Sequence, residues 1–360
     1  MPTVYVNDKP VEIGSARLNC VQAAELAGTL VPHYCYHPAL TVVASCRMCL
    51  VEVGDLKDGK VTMQPKVLPG CQTPVKDGTV IVTGDYDKRD QAIAALPYDP
   101  QYKPGDRAKK SQADTLEGLL LNHPLDCPVC DKAGECKLQD YSYAYGRSET
   151  RLVDEKNQPP NKPGISSKIT LFTDRCIMCT RCVRFTREVS GTAELTVTGR
   201  GHHEEIDVFP GRPLENKLSG NVVDLCPVGA LGSKDFLYKQ RVWYLKEHDG
   251  VCSRCSTGCS THVDTNKDIV YRLRARENPA AQAALQEIVR EVMRSRHKLR
   301  PGEKDDFALE SSETALSQWM SIKKYLVIAG VVLPAIGLVV GAIVIMNIML
   351  VAVAERTREI

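Results

Sequence analysis

Fourteen of the fifteen cysteines in this chain of 360 residues fall, in order, into four groups within residues 35–259. The groups are Cys35/Cys46/Cys49/Cys71, Cys127/Cys130/Cys136, Cys176/Cys179/Cys182 with Cys226, and Cys252/Cys255/Cys259; only Cys20 stands apart. Thiolates are the ligands of zinc and of iron–sulfur clusters, and loops that return several of them to one point are built for metal. The first group reads C-x10-C-x2-C-x21-C. It is looser than the plant-type ferredoxin pattern, and its spacing suits a [2Fe–2S] cluster or a four-thiolate zinc site equally.

The second group reads H-x3-C-x2-C-x5-C: His123, Cys127, Cys130 and Cys136. Three close cysteines hold one face of a [4Fe–4S] cube, and His123 is the nearest fourth ligand. A neutral imidazole leaves such a cluster less negative than a thiolate does, which raises its potential by analogy with Rieske centres. The third group is the most specific. Cys176-x2-Cys179-x2-Cys182 matches the opening of the bacterial ferredoxin run, and Cys226-Pro227 its Cys-Pro ending, displaced along the chain. Zinc sites seldom pack three cysteines this tightly, so the spacing favours iron–sulfur. The fourth group, C-x2-C-x3-C, is incomplete. Its fourth ligand would be His262, Asp264, an outside group or nothing, and the site reads as degraded. Cys20 reads as a small core hydrophobe, and His202 and His203 as surface residues. Arg175, Arg181, Arg184 and Arg187 read equally as an offset to cluster charge or as a solvated face.

Positioning these groups requires an α+β chain. Val4–Val6 and Val11–Ile13, around Asn7-Asp8-Lys9-Pro10, predict a hairpin. Val21–Ala27 predicts a short helix ending at Gly28. Leu50–Val53 and Thr79–Thr83 add strands to a small mixed sheet. Asp90–Leu96 begins a helical connection, residues 97–113 read as a linker, and Thr115–Leu121 is a short helix entering the second group. Asn157–Gly164 is a loop. The expected divisions are 1–96, 97–156, 165–238, 239–279 and 280–360, the first four each holding one cysteine group. After Pro279 the character changes: 280–298 predicts a charged helix, 299–312 is polar, and 325–354 is an apolar run. That run exceeds the ~20 residues that span a bilayer.

Net charge is +2, so nothing implies a nucleic-acid partner. The first residues show no basic and apolar secretory pattern, so clustered cysteine is expected in a reducing cytoplasm, where it means metal or redox chemistry. No Gly-rich phosphate loop, Ser/His/Asp set or nucleotide fingerprint is present, so no catalytic residue is assigned.

The stretches VPHYCYHPAL with SCRMCLVEV, LPGCQTPVKDG, NHPLDCPVCDKAGECKLQD, DRCIMCTRCVRF, VVDLCPVGAL and VCSRCSTGC make residues 1–279 resemble the large iron–sulfur subunit of bacterial NADH-quinone oxidoreductase, respiratory complex I. The resemblance implies an N-terminal β-grasp ferredoxin domain with [2Fe–2S] at Cys35, Cys46, Cys49 and Cys71, which favours iron over zinc there. It implies a [4Fe–4S] cluster at His123, Cys127, Cys130 and Cys136, and a bacterial-ferredoxin-like domain with another at Cys176, Cys179, Cys182 and Cys226. Some members continue with a fourth cluster-binding Cys and a molybdopterin-oxidoreductase-type domain; here Cys252, Cys255 and Cys259 lack that fourth Cys, and a third [4Fe–4S] cluster is in doubt. The implied function is to pass electrons from an NADH-oxidising flavin subunit toward a quinone-side iron–sulfur subunit, at the cytoplasmic face of the inner membrane.

Residues from about 281 resemble a permease subunit of macrolide-export-type ABC transporters, through LQEIVREVMRSRHKLRPGEKDDFALES and LVVGAIVIMNIMLVAVAERTREI. This implies one transmembrane helix, a membrane partner through it, and a chimera joined near Asn278–Gln282. The alternatives are the equivalent subunit of an NAD-linked formate dehydrogenase or hydrogenase, a transporter fragment, and a zinc scaffold. Arg241–Leu245 (RVWYL) favours complex I or formate dehydrogenase over a hydrogenase subunit.

Overall fold

The computed structural model describes residues 2–14, 17–253 and 258–276, together with positions 341, 343, 345, 346 and 349. The chain divides into two units, Met1–Arg276 and Glu277–Ile360.

The first unit opens with β1 (Thr3–Val6) and β2 (Lys9–Glu12), an antiparallel hairpin. Its turn is Asn7-Asp8, both left-handed at φ 46° and 70°, the geometry that matches the strand twist. Pro10 lies in the strand opposite Tyr5 rather than in the turn; β2 is the sheet edge, where a missing N–H is tolerated. Helix α1 (Cys20–Leu26) starts one residue earlier than expected. Asn19 accepts from Gln22 N at 2.9 Å, and Gln22 Oε1 accepts from Asn19 N at 3.0 Å, a reciprocal cap that fixes the helix start. Strands β3 (Leu50–Lys57), β4 (Lys60–Met63), β5 (Leu68–Pro69) and β6 (Thr79–Val82) complete a mixed sheet of order β2-β1-β6-β3-β4, with β5 on β3. The pair β1/β6 is parallel and β3/β6 antiparallel. All four side chains of central β6 are buried.

The expected helical connection at 90–96 and linker at 97–113 are corrected by the structure. Residues 90–105 contain no helix, and α2 (Asp106–Leu120) takes over most of the linker and absorbs the short helix expected at 115–121. Pro97, Pro100 and Pro104 oppose an earlier start. The helix was hidden because it buries only Ala108, Gln112 and Leu116, a stripe with one large apolar residue. Its start is fixed from a distance: fully buried Glu52 on β3 accepts from Arg107 N and Ala108 N, both at 3.0 Å. A carboxylate there satisfies amides that have no partner within the helix.

Next come α3 (Lys137–Tyr145), β7 (Ile169–Leu171), α4 (Arg181–Arg184) running into a π-helical turn at Phe185–Val189, β8 (Leu195–Thr198), β9 (Glu205–Val208), α5 (Asn221–Leu225) and β10 (Leu231–Ser233). Strands β7 and β10 pair, as do β8 and β9. Strands β11 (Lys246–Val251), β12 (Ser260–Asn266) and β13 (Ile269–Ala275) form an antiparallel meander. One buried cluster lies under the N-terminal sheet and α1; a larger one joins Tyr34, Cys35 and Met48 to Leu116, Leu138, Tyr141, Leu171, Cys179, Cys182 and Cys226.

In the second unit the described positions are helical. Among the described residues no helix is long and apolar enough to cross a membrane. The expected charged helix at 280–298 lies outside the described residues, as does the span 325–354 apart from those five positions.

Candidate metal centres

The first cysteine group closes from two directions. Cys35, Cys46 and Cys49 come from the long loop between α1 and β3, and Cys71 from the turn after β5. Ala44 and Arg47 take left-handed backbone, at φ 49° and 57°, so the loop curls around its own sulfurs. Cys35 N donates to Cys46 Sγ at 3.4 Å. The thiols hydrogen-bond in a chain, Cys46 and Cys71 to Cys35 and Cys71 also to Cys49. This pulls Cys35 and Cys49 down and pushes Cys46 and Cys71 up from the ordinary thiol range. Cys35, Cys49 and Cys71 are buried and Cys46 half-buried. Four convergent sulfurs, three of them on buried residues and two with their thiols shifted down, fit a cationic group bound between them and make poor core filling.

At the second group, Asp126 O accepts from Val129 N and Cys130 N, both at 2.8 Å, which folds the Cys127–Cys130 turn. Cys136 is the N-cap residue of α3. Burial pushes its thiol up, opposed by hydrogen bonds from Gln139 and Leu138 backbone amides. Burial likewise raises Cys130, opposed by the Lys132 amide and the Arg175 charge. His123 Nδ1 is buried with no hydrogen-bond partner. Burial holds its imidazolium down to about 4, helped by Lys156 and Arg175, so at neutral pH it carries a free lone pair. An unpartnered, neutral imidazole nitrogen four residues before Cys127 has the chemistry of a ligand. Gly229 is pressed against Cys130 Sγ, and Arg241 Nη1 donates to Cys130 O at 2.7 Å.

The third group is the most enclosed. Cys176, Cys179, Cys182 and Cys226 line one cavity with Ile177, Ile206 and Arg181. Left-handed Met178 and Thr180, at φ 49° and 57°, sit between the cysteines, and Cys226 arrives from the C-terminal end of α5. Burial pushes Cys176 up to about 12 and Cys179 to about 11, and raises Cys182 also. Amides of Met178, Arg181 and Val183 donate to these sulfurs. Four sulfurs on a largely apolar cavity, with Arg181 at its wall, fit a compact cluster.

The fourth group is not assembled among the described residues. Cys252 N donates to Cys259 O at 2.8 Å, closing the end of the β11/β12 hairpin, while Cys255 lies outside the described residues. Of the two fallback ligands, only Asp264 is engaged elsewhere by hydrogen bonds. His262 Nδ1 stands 3.2 Å from Glu247 and 3.5 Å from Asp249, without hydrogen-bond alignment. Asp264 is 1% exposed and pairs with Arg272 at 2.5 Å and Arg274 at 2.8 Å. Among the described residues no three His, Cys, Asp or Glu side chains are grouped around a single-ion site. Cys20 is fully buried, and His202 and His203 are exposed, as expected.

Sequence reasoning missed the surroundings of the sulfurs. Arg175, Arg181 and Arg184 are each 5% exposed, so they are not a solvated face; Arg187 alone is exposed. Arg175 pairs with Asp126 at 2.7 Å and lies 4.0 Å from the centre of the Phe172 ring. The available signal was their spacing, interleaved with the third cysteine group. Gly229 carried no signal of its own.

Comparison with known proteins gives three family matches. Residues 2–86 match a 2Fe-2S iron-sulfur cluster binding domain. Residues 112–151 match the NADH-ubiquinone oxidoreductase-G iron-sulfur binding region. Residues 166–232 match the ferredoxin-like domain of NADH-quinone oxidoreductase subunit 3. Among curated relatives, the mitochondrial NADH dehydrogenase [ubiquinone] iron-sulfur protein 1 of Solanum tuberosum is 38% identical over 275 residues, 76% of this chain and 33% of that protein. The mitochondrial NADH-ubiquinone oxidoreductase 78 kDa subunit of Candida albicans is 38% identical over 277 residues, 76% of this chain and 34% of that protein. An NADH-quinone oxidoreductase subunit of Rickettsia felis is 36% identical over 260 residues, 71% of this chain and 34% of that protein. The chain thus spans about a third of the length of the curated relatives it matches. A chain from a crystal structure of NAD+-reducing [NiFe]-hydrogenase in the H2-reduced state shares the fold, with a TM-score of 0.52 and 23% identity over 67% of this chain and 91% of that one. The chain is an iron–sulfur protein, with a [2Fe–2S] domain followed by [4Fe–4S]-binding regions.

Proposed function

We propose that this chain is an electron-transfer subunit of an NADH:quinone oxidoreductase, accepting electrons from an NADH-oxidising flavin subunit and passing them toward a quinone-side iron–sulfur subunit. The observation that carries the reading is the third centre. Cysteines 44 residues apart in sequence, Cys182 and Cys226, line one buried cavity with Cys176 and Cys179. When bound, clusters supply one-electron carriers whose potentials follow ligand type, hydrogen bonding and burial. In this reading Cys35, Cys46, Cys49 and Cys71 hold [2Fe–2S]. His123, Cys127, Cys130 and Cys136 hold one [4Fe–4S], and Cys176, Cys179, Cys182 and Cys226 another.

The chain's residues then have distinct tasks. Burial at the third site excludes water. Backbone amides of Met178, Arg181 and Val183 donate to sulfur and stabilise its negative form. His123 contributes a neutral donor, making the second centre less negative than an all-thiolate one. Cys252, Cys255 and Cys259 hold no cluster in this reading. The relatives at 36–38% identity support the NADH–quinone complex over the hydrogenase alternative.

We place the protein at the cytoplasmic face of the inner membrane and read residues 325–354 as a transmembrane helix, within a permease-like module over 281–360. The helix rests on the apolar run, and the permease-like module on the resemblance of its two stretches. Retention in the soluble fraction after expression with membranes would refute the helix.

The full chain, reconstituted anaerobically, should bind 2 + 4 + 4, about ten irons, with little zinc, and give one [2Fe–2S] and two [4Fe–4S] paramagnetic signals on reduction. Zinc in place of iron, without such signals, would overturn the proposal. About three to four further irons would show that the fourth group is loaded.

A further inference from the structure

Two buried guanidinium groups stand where the first and third cysteine groups meet. Arg181 and Arg184, on α4 to either side of Cys182, are each 5% exposed. Arg184 Nη2 donates to Cys35 O at 2.5 Å and to Cys179 O at 3.2 Å, and its Nη1 to Thr41 O at 2.6 Å. Arg181 Nη2 donates to Tyr36 O, and its Nη1 to Leu225 O, next to Cys226, at 3.5 Å. Together they tie the Cys35 loop to the Cys176–Cys182 loop and to the end of α5.

Every one of these acceptors is a neutral carbonyl. The hydrogen bonds fix the guanidinium groups but leave two positive charges without a counter-charge. Arg175 nearby has Asp126 as a partner; Arg181 and Arg184 have no carboxylate partner among the described residues. The Nε–H of each is buried with no hydrogen-bond acceptor. Arg181 also lines the cavity of the third cysteine group. An uncompensated buried charge costs several kcal/mol, so a fold that keeps two side by side implies an anionic complement nearby. The sulfurs that bear on the Arg181 charge are those of Cys179, Cys35 and Cys46, drawn from both centres.

We propose that Arg181 and Arg184 are positioning residues for electron transfer, a fixed cationic bridge that compensates the negative charge of the first and third centres together and raises both reduction potentials. The inference rests on reading those cysteines as cluster ligands. Reduction adds one negative charge to a centre, and a pre-placed guanidinium stabilises the reduced form more than the oxidised one. Because one pair of side chains touches both loops, losing one charge should lower both potentials.

The test uses the full chain, reconstituted anaerobically, as R181M, R181K, R184M and R187M beside the unsubstituted protein. Iron per chain is measured first, then midpoint potentials by paramagnetic resonance titration. R181M and R184M should keep their iron and lower the one-electron reduction constants of the first and third centres about tenfold each, which is about 59 mV. R181K should shift them by less than half of that, and exposed R187M not at all. Unmoved potentials in fully loaded R181M, or equal shifts in R181K and R181M, would overturn the bridge. Should the Met variants fail to load, 15N labelling confined to the arginine guanidinium nitrogens of the unsubstituted chain decides. Pulsed resonance on the reduced [2Fe–2S] and all-cysteine [4Fe–4S] signals should show 15N coupling, and its absence refutes the inference. An unsubstituted chain that binds no iron would instead refute the cluster reading itself.

Discussion

Replacing Gly229 with alanine should empty the second centre while leaving the first and third loaded. An added Cβ would overlap Cys130 Sγ and stand 3.3 Å from Lys132 Cβ. Neither side can withdraw easily. Gly229 lies between Val228 and Ala230, each 1% exposed. Cys130 is pinned through its N–H to Asp126 O at 2.8 Å and through its carbonyl, which accepts from Arg241 at 2.7 Å. The sulfur must therefore swing away, and the sulfur is what binds. Overpacking of this kind costs about 1–3 kcal/mol, which is about 5–150-fold in affinity at tenfold per 1.4 kcal/mol. The assay is iron per chain during titration with a chelator. Retained iron should fall from about ten to about six, with the [2Fe–2S] and all-cysteine [4Fe–4S] signals unchanged. Gly220, whose added Cβ meets open space, is the control. A Gly229→Ala protein with full iron and unaltered chelator resistance would show that Cys130 does not need its present position.

Glu52→Ala removes a fully buried carboxylate that accepts from two α2 amides, from Arg107 Nη2 at 3.2 Å and from Tyr102 Oη. It should cost about 3 kcal/mol in urea unfolding, and a change below about 0.5 kcal/mol would deny it the capping role. Burial holds His33 down to about 4 from an ordinary 6.5. The unfolded chain therefore takes up this proton first as pH falls. The stability that depends on a neutral His33 is complete above about pH 6.5 and is lost progressively down to about pH 4, by about 3 kcal/mol in all. His33→Gln should flatten that acid-side loss, and parallel pH profiles for the two proteins would contradict it. Cys20 is fully buried with its thiol pushed up to about 12, chiefly by burial, so it should resist alkylation in the native state. Cys20→Ala should retain about ten irons, and loss of an iron signal in that variant would assign Cys20 a ligand role.

The cysteine groups were legible in the sequence because ligation imposes short, rigid spacings, as in Cys176-x2-Cys179-x2-Cys182, and because a thiol has few other uses at that density. The hairpin and α1 were legible for a local reason too: apolar runs flank Asn7-Asp8-Lys9-Pro10, and Val21–Ala27 ends at Gly28, although the two-residue turn and the reciprocal cap at Asn19 emerged only in the structure. Helix α2 was not legible. Its determinant is Glu52, more than fifty residues earlier and itself ambiguous, whereas the helix displays a polar surface and one large buried apolar side chain. The burial of Arg181 and Arg184 was hidden by the same kind of distance. An arginine signals a surface unless its partners are known, and here the partners are carbonyls about 145 residues away.

The centres are supported by a shared core rather than by separate ones. Tyr34, Cys35 and Met48 of the first loop pack with Cys136 of the second group and Cys179, Cys182 and Cys226 of the third. Tyr34 is fully buried, its ring 5.3 Å from that of Tyr141 on α3. A loop that packs into its neighbour's core cannot relax when its metal changes charge, and a rigid surround keeps the reorganisation accompanying each electron small. The same burial pushes Cys176, Cys179 and Cys182 toward the protonated thiol, which opposes ligation until metal displaces the protons. Dense packing alone would thus insulate the centres at the expense of forming them. The directed amides of Met178, Arg181 and Val183 and the uncompensated guanidinium groups of Arg181 and Arg184 oppose that penalty, supplying positive potential where the packing has removed water.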